Sequence, residues 1–149
     1  MNIPSAEQFW QFSEQHYARP GVAEACLLLQ EDYDANVNLL LLLLMLEERG
    51  FSSDPTLFLP IISLRAGLFQ QWRPLRRHLK NKLSENKLSG DDYLRLLHHE
   101  LELERWQQQE LLQALTQSPI SSEGPSGLLT YLTLLKVPTP ALWQLKLAG

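Results

Sequence analysis

The sequence predicts an all-α fold: a compact bundle of about five long helices around a central leucine-rich helix, plus a short C-terminal helical pair. Three observations carry this. Residues 39–46 read LLLLLLML, an apolar run without a β-branched residue, and leucine and methionine favour helix where β-branched residues favour strand. The neighbouring segments place apolar residues three and four apart, the helical period. No segment shows the alternation of a half-buried strand, and no period of about 20 to 50 residues repeats. The apolar run is too short for a bilayer, which takes about 20 such residues.

Taken in chain order, Ser5 and Gln8 have the spacing of a capping box. They open a helix carrying Phe9, Trp10, Phe12, His16 and Tyr17, which "ARPG" ends because the residue before a proline is pushed out of the helical region. The next helix runs from Gly21 to Tyr33, with Val22, Ala25, Cys26, Leu29 and Tyr33 on one stripe, so Cys26 points inward. Asp34 or Asn36 caps the leucine helix, and Gly50 can take the left-handed conformation beyond its end. A helix apolar all round needs cover all round.

After "FSSDP", Asp54 caps and Pro55 occupies a first turn. Ile61, Leu64, Leu68, Trp72, Leu75, Leu79 and Leu83 then keep one phase, which predicts a long helix begun afresh near Pro60 and kinked near Pro74. Ser89 and Asp92 form a second capping pair. They start the longest helix, reaching about Thr116, with Leu94, Leu97, Leu101, Leu111, Leu112 and Leu115 inward and much of "HHELELERWQQQE" facing water. "QSPISSEGPSG" is a loop by composition. Leu128, Leu132 and Leu135 mark a short amphipathic helix, "VPTP" stops it, and "ALWQLKLAG" supplies one or two further turns. Residues 1–117 are thus expected to form the bundle and 118–149 to pack onto it, one domain in all, which 149 residues can support around one core.

The composition, 44% hydrophobic and 20% charged with a net charge of −4, is that of an ordinary water-soluble globular protein. Cys26 is the sole cysteine, which excludes an internal disulfide and a cysteine-based zinc site. The N-terminal "MNIPSAEQFWQF" lacks the basic and apolar regions of a signal peptide, so a cytoplasmic location is expected and no membrane association. There is no phosphate-cradling glycine loop, nucleophile elbow or HExxH sequence. We expect no catalytic residue, no metal and no cofactor.

"HHELELE" places His98 and His99 four and three residues from Glu102. A helical di-metal site needs Glu-x-x-His pairs on several helices, and Arg95 and Leu96 stand where those glutamates belong; the segment reads as a solvated charged face. His16 and His78 read as surface or boundary residues, and Cys26 as a small core residue. Asn36 and Asn38 read as caps or hydrogen-bond partners of a buried helix end.

Charge is distributed unevenly. Residues 1–54 carry a net −7, residues 55–87 a net +6 and residues 88–149 a net −3. Arg73, Arg76, Arg77, Lys80 and Lys87 recur at helical spacing beside Trp72, Leu75 and Leu79. The leading expectation is a non-enzymatic interaction module in which Trp72, Arg73, Arg76, Arg77 and Lys80 engage an acidic partner, a protein surface in preference to a nucleic acid. The alternative is a helical enzyme or small-ligand-binding protein with its pocket between the central helix and the aromatic first helix, lined by Trp10, Tyr17, Asn38 and Arg76. A third possibility is a homo-oligomer formed through the tail, where Leu128, Leu132, Leu135, Leu142, Trp143 and Leu145 crowd two short helices.

Taken together, Phe9, Trp10, Ser13 and Tyr17, then Pro20, Gly21 and Val22, then Val37, Asn38 and Leu39 to Leu41, and finally Trp72, Pro74, Leu75, Arg76, Arg77 and Leu79 resemble the pattern of DUF2390, a proteobacterial family of uncharacterised small proteins. The resemblance spans roughly residues 9 to 110. The chain departs from the pattern at Asn36, where the family more often has aspartate, and near Met45, where tryptophan is common. The resemblance implies a bacterial cytoplasmic origin, and it brings no activity, cofactor or catalytic residue.

Overall fold

The computed structural model describes residues 3–64, 66–117 and 120–149, apart from the side chains of Leu68 and Gln70. The described chain is all-α: α1 (Ala6–Tyr17), α2 (Val22–Tyr33), α3 (Val37–Glu48), a 3-10 turn (Pro55–Phe58), α4 (Leu59–Leu64), α5 (Ala66–Ser84), α6 (Gly90–Thr116), α7 (Gly127–Leu134) and α8 (Pro140–Ala148). Ser52 and Ser121 add an isolated antiparallel bridge between two loops.

The leucine helix α3 is the axis of the bundle. Every residue from Leu39 to Leu46 is buried, and α1, α2, α6 and α7 pack around it. Its N-cap is Asn36, whose Oδ1 accepts from the Leu39 amide at 2.9 Å. Asp34 instead closes α2 in the left-handed conformation, and Gly50 follows α3 in the same region at φ 77°. The capping box of Ser5 and Gln8 is formed in both directions, and Asp54 and Ser89 cap as their spacing predicts.

After Asp54 the 3-10 turn leads into helix at Leu59, near the restart expected at Pro60, and Pro74 lies inside α5; along this stretch and beyond it three expectations are corrected. The apolar stripe is not uniformly covered: Leu64 and Leu75 are exposed, and Leu68 lies outside the described side chains, as Ser118 and Pro119 of the following loop lie outside the described residues. In α6, Leu94 is 62% and Leu101 47% exposed, whereas Glu100, Gln107 and Gln108 are buried. His16 is buried, stacked on Phe12 with ring centroids 5.1 Å apart. Its Nε2 donates to the Leu147 carbonyl at 2.6 Å, which fastens α8 against the first two helices.

A second junction holds the tail. Ser126 donates to Glu47 at the end of α3, and Gln144 of α8 donates to both Glu47 oxygens at 3.0 and 3.2 Å. Leu128, Leu132 and Leu147 turn into the core, while Leu142 and Leu145 remain exposed. α5 lies at the periphery, packing chiefly against α4 and α6. Its offset from α3 leaves space inside the bundle.

Candidate functional site

That space is a cavity of about 690 Å³, bounded by α1, the end of α2, the start of α3, α4, α5 and α6. Trp10 and Tyr17 come from α1, Asn38 and Leu41 from α3, Phe69, Arg73 and Arg76 from α5, and Leu97, Glu100 and Glu104 from α6. Trp10, Tyr17, Asn38 and Arg76, the residues named for a pocket, therefore line one wall system. Such a volume accommodates a small organic molecule.

The amide floor has a fixed polarity. Ser13 Oγ donates to the Phe9 carbonyl at 2.8 Å, so it accepts from Gln108 Nε2, at 2.9 Å. Gln108 Nε2 also donates to Asn38 Oδ1 at 3.1 Å. Asn38 Nδ2 donates to Gln107 Oε1 at 2.9 Å and to the Glu104 carbonyl at 3.3 Å, and Asn36 Nδ2 donates to the same Gln107 oxygen at 3.1 Å. Tyr131 Oη, buried behind them, accepts from the Asn36 amide at 2.9 Å. Each amide orientation is thus dictated by its neighbour, and the start of α3 is locked to the middle of α6. Among the described residues Gln107 Nε2 and Gln108 Oε1 are buried without a hydrogen-bond partner. Buried polar atoms are seldom left so.

Two carboxyl groups stand one helical turn apart above this floor. Glu100 is held by Arg76, whose Nη1 lies 3.0 and 3.4 Å from its two oxygens. Among the described residues Glu104 has no ion pair and no side-chain hydrogen bond. Burial pushes the Glu104 carboxyl up to about 7, with Glu100 adding to the rise and Arg76 and Arg73 opposing it. Burial also raises the Tyr17 phenol, helped by Cys26 and Glu104 and opposed by Arg76. A carboxyl raised in this way can bind or release a proton near neutral pH.

The five residues of the expected basic patch do not share one surface. Arg73 and Arg76 turn to the cavity. With its amide oxygen facing α5, Gln30 accepts from Arg73 Nη2 at 2.5 Å and Nε at 3.2 Å. Trp72 is half-buried, and its Nε1 has no hydrogen-bond partner among the described residues. Arg77 and Lys80 face outward, Arg77 lying 3.4 Å from exposed Glu31.

Elsewhere, His98 and His99 sit 2.9 and 3.7 Å from Glu102 on an exposed face of α6. Among the described residues no group of three His, Cys, Asp or Glu side chains is placed to hold a metal ion, and no helix is long and apolar enough to cross a membrane. Cys26 is buried, its thiol pushed up by burial to about 12, which leaves it protonated and unreactive at neutral pH.

Glu100, Glu104, Gln107, Gln108 and Ser13 were missed by the sequence reading. A signal existed: stepping back from Leu115 and Leu111 by three or four residues reaches 108, 104, 100 and 97, the stripe that the structure turns inward. Leu94 and Leu101 drew the expected stripe to a neighbouring phase.

The family profile described as "Protein of unknown function (DUF2390)" matches residues 8–111. The chain belongs to the DUF2390 family. No curated protein and no solved structure matches it significantly. The cavity-lining residues, from Trp10 to Gln108, all fall within the DUF2390 segment, and α7 and α8 lie beyond it.

Proposed function

We propose that this chain binds a small organic molecule in the cavity between α1, α3, α5 and α6. The observation that carries the reading is a deep cleft, half open to solvent, walled by Trp10, Leu41, Phe69 and Leu97 over a buried and orientationally fixed amide floor. An apolar wall with a few placed polar groups is the usual composition of a ligand site.

A fragment screen followed by two-dimensional NMR tests this. Binding fragments should shift the Trp10 indole and the side-chain amides of Asn38, Gln107 and Gln108, and Leu97→Trp, which narrows the space beside Trp10, should weaken those shifts in a folded protein. Shifts confined to the outer face of α5 or to α8 would contradict the reading.

A second reading is favoured by the outward pair. Arg77 has 73% of its side chain exposed and Lys80 is exposed beside it, a surface suited to an acidic partner, protein or nucleic acid. Replacing both with glutamate should abolish capture of that partner if this face serves it, and unchanged capture would remove the face from consideration.

A further inference from the structure

Among the described residues Glu104 is a cavity carboxyl that makes no ion pair and no side-chain hydrogen bond, with Arg73 and Arg76 acting on it only at longer range. Buried charges are ordinarily paired, because removing a carboxylate from water is expensive unless an opposite charge repays it. In this cavity Arg76 pairs with Glu100, and Arg73 is hydrogen-bonded to the neutral Gln30 amide with Asp34 nearby. Among the described residues the walls carry four acidic side chains, Glu14, Asp34, Glu100 and Glu104, against two arginines. Trp10, Tyr17 and Phe69 contribute aromatic faces, which attract cations and tolerate apolar bodies.

We propose that the ligand is an amphipathic amine, its ammonium group donating hydrogen bonds to the Glu104 carboxylate and its apolar body lying against Trp10, Leu41, Phe69 and Leu97. This rests on the cavity being a ligand site and adds the charge and class of what it takes. The amine supplies a direct counter-ion to Glu104, which no described residue does. It also fixes the sign of a proton linkage. The groups facing Glu104 are Glu100 from its own helix, Arg73 and Arg76 from α5, Tyr17 and Glu14 from α1 and Asp34 from the end of α2, while α3 presents the neutral Asn38 amide. With the Glu104 carboxyl raised to about 7, an arriving ammonium displaces its proton. An anionic ligand drawn to the two arginines would instead favour the protonated carboxyl, so the two classes have opposite pH dependences.

Isothermal titration calorimetry with 2-naphthylmethylamine, 2-naphthylmethanol and 2-naphthoate, at pH 6 to 8 and in buffers of different ionisation heat, decides between them. The amine should bind about tenfold more tightly at pH 8 than at pH 6 and release about half a proton per molecule at pH 7. Glu104→Gln should remove the pH dependence and weaken amine binding by about tenfold while leaving the alcohol unaffected. The wild-type series stands by itself should that variant misfold. Equal binding of alcohol and amine without proton release overturns the amine assignment and leaves the cavity as a ligand site. Preferential binding of naphthoate with proton uptake overturns it in favour of an anion. Failure of all three to bind, with no shift of the Trp10 and Asn38 NMR signals, overturns both this inference and the binding function beneath it.

Discussion

Glu104 holds a proton in the folded chain at pH values where an unfolded chain would release it, and stability depends on pH accordingly. Its folded value of about 7 lies above the ordinary 4.5, chiefly through burial. A group raised on folding contributes stability that is complete below its unfolded value and lost as pH rises through its folded value. The wild-type chain should therefore lose about 3 kcal/mol of Glu104-linked stability between pH 4 and pH 8. Glu104→Gln should lack that component, so the variant gains on the wild type as pH rises. Urea unfolding of both proteins at pH 5 and pH 8 checks this, and an identical pH response in the two would contradict the assignment. At this scale the sequence was only partly readable. Asn38 stood out because a polar residue beside a leucine run must find partners, whereas Glu104 looked like one acid among several on a hydrated helix. What sets it apart is the desolvation imposed by α1 and α5, elements distant in sequence.

α6 shows why the phase of a helix can be misjudged. Its leucines at 94 and 101 suggest one phase, yet the burial follows Leu111 and Leu115, which are fully covered in the core, and carries Leu97 and Glu100 inward instead. The caps of Ser5, Asn36, Asp54 and Ser89 were legible because capping is local. The docking of α8 was not, since it depends on His16 and Leu147, 131 residues apart. That contact yields a second prediction. His16→Ala removes a buried ring and leaves the Leu147 carbonyl without its donor, which should cost about 2–4 kcal/mol. Hydrogen exchange should show α8 opening first, with α3 protected to the limit of global unfolding; uniform destabilisation without preferential opening of α8 would show that the contact is not what fastens the tail.

For the whole molecule, the all-α bundle was predictable from one fact: a rod of leucine with no polar face must be wrapped, and α1, α2, α6 and α7 wrap it. The same reasoning could not place the cavity, which arises because α5 packs on α4 and α6 and presents Arg73 and Arg76 to the interior. A run of seven basic residues against one acid in residues 55–87 reads as a surface feature in the sequence, and folding directs part of it inward. The most direct measurement is a crystal structure of the chain with the tightest-binding naphthyl probe. The account predicts the probe enclosed between α1, α3, α5 and α6, in contact with Trp10 and above the Asn38–Gln107–Gln108 amides. A probe bound elsewhere, or α5 collapsed onto α3 with no space between them, would contradict it.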